Sequence, residues 1–255
     1  MINLIKNELI KLFGSKKFYV LLLVLTGFSF VPVIGAKVLG DEFAIGGQSF
    51  ALTSLSGILS LLLPIFIIIV IADLFAEDYA SGTMAVTLIH PITRTKLFNA
   101  KLLAVVATIF LLTTYTLVIS YLMGITFFSW SEPFVVQGVA FSATNGILFT
   151  IGLYYVSILP LAAFAMLIIL IISQFSNSGT AVGASIGLFL LMGIAGQIVK
   201  IISPFLITTQ LNLYAYFLTE DAVINITTAL AVIIAYGLIS YIVGVIQFNR
   251  RDIML

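Results

Sequence analysis

Residues 50–72, FALTSLSGILSLLLPIFIIIVIA, run directly into residues 73–101, DLFAEDYASGTMAVTLIHPITRTKLFNAK, and the contrast between the two decides how this chain is built. The first stretch has no ionisable residue and is long enough to cross a hydrocarbon core of about 30 Å, which takes about 20 helical residues. The second holds Asp73, Glu77, Asp78, Arg94, Lys96 and Lys101, six of the 21 charged residues, together with the single histidine, His90. Burying a charge without a partner is costly. Residues 73–101 are therefore expected to face water or another protein, and to be the working surface.

The rest of the chain repeats the apolar theme. Hydrophobic residues make up 62% of the sequence, charged residues only 8%, and the mean hydropathy is +1.25, far from the half-apolar, quarter-charged balance of a soluble domain. Five more apolar runs, near 18–36, 102–128, 143–173, 180–199 and 225–247, join 50–72 to make six candidate spans. Their uninterrupted apolar character reads as helix and lacks the alternation a barrel requires. Residues 1–255 are thus expected to form one all-α membrane domain. The third and fourth runs exceed the minimum length, which predicts tilt or extension beyond the bilayer. Pro64 and Pro160 fall inside spans and predict kinks that serve packing.

Lysine and arginine set the orientation. With the N-terminus inside, Lys6, Lys11, Lys16, Lys17, Arg94, Lys96, Lys101, Arg250 and Arg251 lie on the cytoplasmic side and only Lys37 and Lys200 outside. That bias predicts a multi-pass cell-membrane protein with both termini cytoplasmic. Before the first span, Ile2, Ile5, Leu9, Leu12 and Phe13 recur at helical spacing between lysines. Residues 1–16 read as an amphipathic helix lying in the inner interface, or as a simple topogenic anchor.

Several function classes are excluded. A net charge of +1 with no basic stripe argues against nucleic acid. There is no cysteine for thiol chemistry, and His90 lacks a nearby second ligand. The six runs carry no Asp, Glu, Lys, Arg or His, so a proton relay or an intramembrane catalytic pair has no residues to use. A sodium site of carbonyls and hydroxyls is only disfavoured. No G-x-x-x-x-G-K-[ST] loop is present to cradle a nucleotide. The chain reads as a non-enzyme with no fuel site of its own.

Within 73–101 the order is specific: Glu77, then Ser81-Gly82-Thr83, a short apolar stretch with Met84, Val86, Leu88 and Ile89, then Pro91, Arg94 and Lys101. Gly82 permits a sharp bend, Thr83 suits a helix cap, and Pro91 ends a helix. Connections between neighbouring helices usually need only 2–8 residues, so a short bounded rod beneath the membrane is expected. In order and spacing the segment resembles the cytosolic loop between the second and third spans of ABC-2 type transporter permeases. The resemblance extends loosely over the whole chain, through the N-terminal helix, six spans and the basic tail Phe248-Asn249-Arg250-Arg251.

What the resemblance implies is a coupling helix that docks into a separate ATP-binding subunit, with Glu77, Gly82, Thr83, Leu88, Pro91 and Arg94 as contact residues. It further implies two such subunits holding the ATP and magnesium, a second permease copy or a related permease, and no cofactor in this chain. Members of that family export antimicrobial peptides, drugs and lipid-linked compounds, and some are linked to sodium efflux. Spans free of charge suit an amphiphile. A membrane immunity protein, sensor or scaffold that binds without transport, or a sodium-efflux ABC permease, is the alternative. Gly179, Gly183 and Gly187 recur every four residues and mark helix packing or a dimer interface. Residues 203–224 resemble the outer re-entrant or interfacial helices that cap such permeases, or form a loop lying on the outer leaflet. Thr113, Thr114, Asn145, Tyr154, Tyr155 and Ser157 either line a route or bond to neighbouring helices.

Overall fold

The computed structural model describes residues 1–39, 46–83, 92–128, 130, 134–136, 139–175, 177–218 and 222–250. Six helices are long and apolar enough to cross a membrane. A short helix, α1 (Ile2–Gly14), precedes them and ends at Ser15, whose extended backbone (φ −81°, ψ 128°) breaks the helical path. The Ser15 hydroxyl accepts a hydrogen bond from the Lys17 amide at 3.3 Å. It thereby satisfies one of the free donors at the start of α2 (Lys16–Leu39).

α3 (Phe50–Ala80) is the most enclosed span, with 67% of its most apolar window buried against 28% for α2. It carries two π-helical turns, Ile58–Leu62 and Ala72–Glu77. Pro64 stands just after the first. A proline lacks the donor that the preceding turn would use, and a widened turn is one way for a helix to absorb the defect. α4 (Arg94–Phe127) starts at Thr93, whose hydroxyl accepts from the Lys96 amide at 3.3 Å. Its 34 residues give about 51 Å at 1.5 Å per residue, well over a bilayer core.

Beyond α4, two short strands, β1 (Phe134–Val136) and β2 (Val139–Phe141), pair antiparallel with Val135 opposite Ala140. The fourth span is two helices, α5 (Ala143–Val156) and α6 (Ile158–Ile172), divided at Ser157. Pro160 removes a donor there, and the Ser157 hydroxyl bonds back to the Leu153 carbonyl at 2.8 Å. α7 (Ser178–Ile198) opens on Asn177, whose side-chain oxygen accepts from the amides of Gly179 and Thr180. Two one-turn helices follow, α8 (Ile207–Gln210) and α9 (Leu213–Tyr216). Ile207, Leu211, Leu213 and Tyr214 are buried, so this segment packs against the bundle. α10 (Ala222–Arg250) closes the chain and makes the most extensive helix pair with α6.

Side chains define the two ends of the bundle. At one end Arg94 reaches the C-terminal turn of α10, and Lys11 of α1 reaches Asp78 of α3. At the other, Lys37 sits over the Phe127 ring at 5.4 Å and Tyr121 lies 6.5 Å from Trp130. The core between them is aliphatic around α3, with Leu55, Leu59, Leu63, Ile67, Ile68 and Ile71 fully buried. α7 and α10 are only 22% buried over their apolar windows, leaving broad apolar faces on the outside.

Two expectations need correction. Residues 73–101 do not begin as a loop: the helix of the second span continues to Ala80, and that of the third begins at Arg94. Nor does their charge all face water. Asp78 and Lys101 are buried, because partners on three helices meet them there.

Candidate functional site

The Lys101 ammonium lies at the centre of the site, with its side chain 1% exposed. It donates to Glu8 Oε2 of α1 at 3.1 Å, to the Leu74 carbonyl of α3 at 2.7 Å and to Asp78 Oδ2 of α3 at 2.5 Å. Three acceptors match its three donors. The Phe75 ring faces the same charge at 5.8 Å. Asp78 is shared in turn: its second oxygen pairs with Lys11 of α1 and accepts from the Thr83 hydroxyl at 3.1 Å.

Local sequence explains why these groups meet. On α1, Glu8 and Leu12 are the buried residues and sit four apart, hence on one face. Leu74 and Asp78 are likewise four apart on α3. The π turn of residues 72–77 widens the helix at that point and changes which side chains face α1 and α4. Ile2, by contrast, is 80% exposed, so α1 turns a carboxylate and a leucine to the protein instead of its whole apolar stripe.

A second, wetter pair of contacts lies alongside. Lys17 at the start of α2 bridges Asp73 Oδ1 at 2.8 Å and Glu77 Oε2 at 3.0 Å. The Glu77 side chain is 53% exposed, so this bridge is worth about 1 kcal/mol at most. Between α1 and the base of α3 the surface forms a crevice of about 280 Å³, lined by Lys11, Lys17, Asp73, Glu77 and Thr83 among others.

The helix end is made by Gly82. Its φ of +70° is left-handed, and its amide bonds to the Tyr79 carbonyl at 3.2 Å while the Ser81 amide bonds to Glu77 at 2.9 Å. This closes α3 as a glycine terminator does. Thr83 bonds back to the Asp78 carbonyl at 3.2 Å as well as to its carboxylate. On the far side of the segment, Arg94 Nη1 donates to the Asn249 carbonyl at 3.0 Å. A cation satisfying a free carbonyl at a helix C-terminus is favourable for dipole and hydrogen bond alike. Thr95 and Asn249 add side-chain contacts at 3.3–3.4 Å.

Of the expected contact residues, Glu77, Gly82 and Thr83 fall together around Asp78, whereas Arg94 is held at the end of α10. Leu88 and Pro91 lie outside the described residues, as do Met84, Val86, Ile89 and His90. Sequence reasoning missed Glu8, Asp78 and Lys101 as a unit. The available signal was Glu8, three residues after Ile5 and four before Leu12, a carboxylate on the apolar stripe of α1.

The other candidates resolve differently. Among the described residues, no atom lies within 4 Å of where a Cβ would stand on Gly183 or Gly187, whereas at Gly179 the Asn177 side-chain oxygen is 3.3 Å away. Tyr154, fully buried, donates to the Ala51 carbonyl at 2.7 Å and lies 3.3 Å from Ser120. Thr114 and Tyr155 hydroxyls are 3.4 Å apart.

Compared with models of protein families, residues 10–254 match the family described as protein of unknown function (DUF2705). No curated protein matches the chain.

Proposed function

The chain belongs to this family of unknown function, and on that premise we propose from its own residues that it is the membrane-spanning subunit of an ATP-driven transporter of the ABC-2 type. The observation that carries the reading is that both edges of the segment 81–93 are fixed to helices. Glu77 and Asp73 are tied to Lys17, Arg94 is tied to the end of α10, Gly82 stops one helix and Thr93 starts the next. A solvated connector needs no such fixing. A surface that receives a push from a partner does.

In this reading the segment between Gly82 and Thr93 is the coupling segment, to which Leu88 and Pro91 belong, and α1 is the N-terminal helix at the inner interface. Both chain termini are cytoplasmic, and the membrane is the cell membrane. Two ATP-binding subunits hold ATP and magnesium and dock at Glu77, Gly82, Thr83, Leu88, Pro91 and Arg94. A second permease, the same chain or a related one, packs in the bilayer, where the face carrying Gly179, Gly183 and Gly187, open at Gly183 and Gly187, allows close helix approach. Apolar spans without ionisable residues suit export of an amphiphile such as an antimicrobial peptide, a drug or a lipid-linked compound.

The test is purification of the tagged chain from its native membrane in mild detergent. An ATP-binding subunit carrying a nucleotide-binding motif is expected in stoichiometric amount, and E77K and R94E are expected to lose it while remaining folded. A folded chain that brings down no such subunit overturns the assignment and leaves an immunity, sensor or scaffold role.

A further inference from the structure

α6 and α10 are the most extensively packed pair of helices, yet a groove of about 260 Å³ opens along their outer side. Small residues make it. Ala162 and Ala163 line it from α6 and Gly237 from α10, and a Cβ on Gly237 would only reach contact distance of Met166 Sδ, at 3.8 Å, and Ala163 Cβ, at 3.9 Å. Its rims are Leu159, Ile234 and Leu238, each about half exposed. Within a bilayer the medium that fills such a groove is lipid hydrocarbon, which is as apolar as leucine.

Its end sets this groove apart from the rest of the apolar surface. Tyr241 lines the groove there and donates its hydroxyl to Asn99 Oδ1 on α4 at 3.1 Å. The Asn99 nitrogen carries two donors of its own, and no acceptor meets them among the described residues. Three residues earlier, hence on the same face of α4, Lys96 is exposed and forms no ion pair among the described residues. Arg94 stands at the same edge, on the Asn249 carbonyl. Among the described residues no carboxylate lines the groove. From Tyr241 to Ile233 it extends about 12 Å along α10 at 1.5 Å per residue. That fits within one leaflet, half of a hydrocarbon core of about 30 Å.

A cation, an amide donor and an apolar groove follow one another in the order of phosphate, glycerol ester and acyl chain. Basic sites between transmembrane helices on the cytoplasmic side are suited to acidic headgroups. We propose that the α6–α10 groove is a binding site for one anionic diacyl phospholipid. One acyl chain lies between Ala162 and Gly237, the ester region meets the Asn99–Tyr241 pair, and Lys96 takes the phosphate. The lipid thereby joins the base of α4 to α6 and α10. Such a site is independent of the ATP-driven reading, since it needs only a bilayer around the six apolar helices.

The test is photolabelling of the full chain in phosphatidylcholine nanodiscs. Each preparation contains a trace of phosphatidylglycerol or of phosphatidylcholine with a diazirine midway along one otherwise identical acyl chain. Peptides covering residues 159–166 and 233–241 are expected to take up the glycerol probe about fivefold more than the choline probe, the preference that one surface lysine confers. The outward face of α2, where Leu23 is 71% exposed, is the reference and is expected to take both probes equally. K96Q is expected to bring the ratio at the groove down to that of the reference. G237L and A162L fill the groove from its two walls and are expected to reduce its labelling by both probes to the reference level. Equal ratios at groove and reference show annular lipid only and overturn the proposal. A K96Q chain that keeps the native ratio overturns it too, as does undiminished labelling in G237L and A162L. Where a filled variant has a lower melting temperature, the native ratio and the exposed substitution K96Q decide without it. Leu238→Cys tests the rival occupant in a chain with no other cysteine. A disulfide-linked dimer together with unlabelled groove peptides places a second copy of the chain there and overturns the assignment.

Discussion

A Cβ built on Gly124 would stand 2.3 Å from the Gly47 carbonyl oxygen and 3.4 Å from the Phe50 Cβ. The obstacle is backbone, which cannot swing aside as a side-chain tip does. Gly124→Ala must therefore push α4 off the turn that starts α3, and overpacking of this kind costs about 1–3 kcal/mol. Gly183→Ala meets nothing within 4 Å, and alanine is favoured over glycine in a helix by up to about 1 kcal/mol. Thermal unfolding of the purified chain in detergent is expected to show a lower melting temperature for the first variant and an equal or higher one for the second. Equal falls for both would mean that α7 is packed at Gly183. The comparison also marks what spacing alone conveys. Gly179, Gly183 and Gly187 were legible as one face of a helix, but a period says nothing about what lies opposite. Close approaches to other helices and turns occur instead at Gly57, Gly124, Gly196 and Gly244, while Gly179 meets only the side-chain oxygen of its own cap, Asn177.

Helix ends follow a different logic from helix middles. The six spans were legible because a bilayer demands about 20 apolar residues per crossing, and nothing else in the chain has that length. Their ends were not, since backbone hydrogen bonding continues through polar residues as long as one face finds contacts. α3 runs on to Ala80, past the apolar stretch ending near residue 72, until Gly82 turns left-handed; α4 starts at the Thr93 cap, well before the apolar stretch from 102. The extra turns bring Asp78 and Lys101 into helices, side by side, and that is why their charge could be buried. Gly82→Ala forces a Cβ into a left-handed conformation, at a cost of about 1–2 kcal/mol per residue. Gly82→Asn, a residue that visits this region more readily, is expected to cost less. Amide exchange over residues 74–83 is the direct measure: faster exchange in the alanine variant than in the asparagine variant is expected, and equal rates would show that the terminator is not what holds the end of α3.

At the scale of the whole molecule, charge and fold together predict one orientation. Lys11, Lys17, Lys101 and Arg94 are paired at the end where α1, the bases of α3 and α4 and the end of α10 meet, while Lys37 stands at the opposite end beside Phe127. Basic residues are retained on the cytoplasmic side during insertion, so the end with Lys101 is expected to face the cytoplasm, the side the proposed ATP-binding subunit would have to reach. A chain without cysteine allows each position to be read separately. With a membrane-impermeant maleimide applied to intact cells, Lys37→Cys and Lys200→Cys are expected to be labelled at once. Lys6→Cys and Lys96→Cys are expected to react only after the membrane is permeabilised. Labelling of Lys6→Cys or Lys96→Cys from outside would place the segment 81–93 on the wrong face for any cytosolic partner. The six-helix fold would stand, but the coupling role of Glu77, Gly82, Thr83 and Arg94 would fall with the orientation.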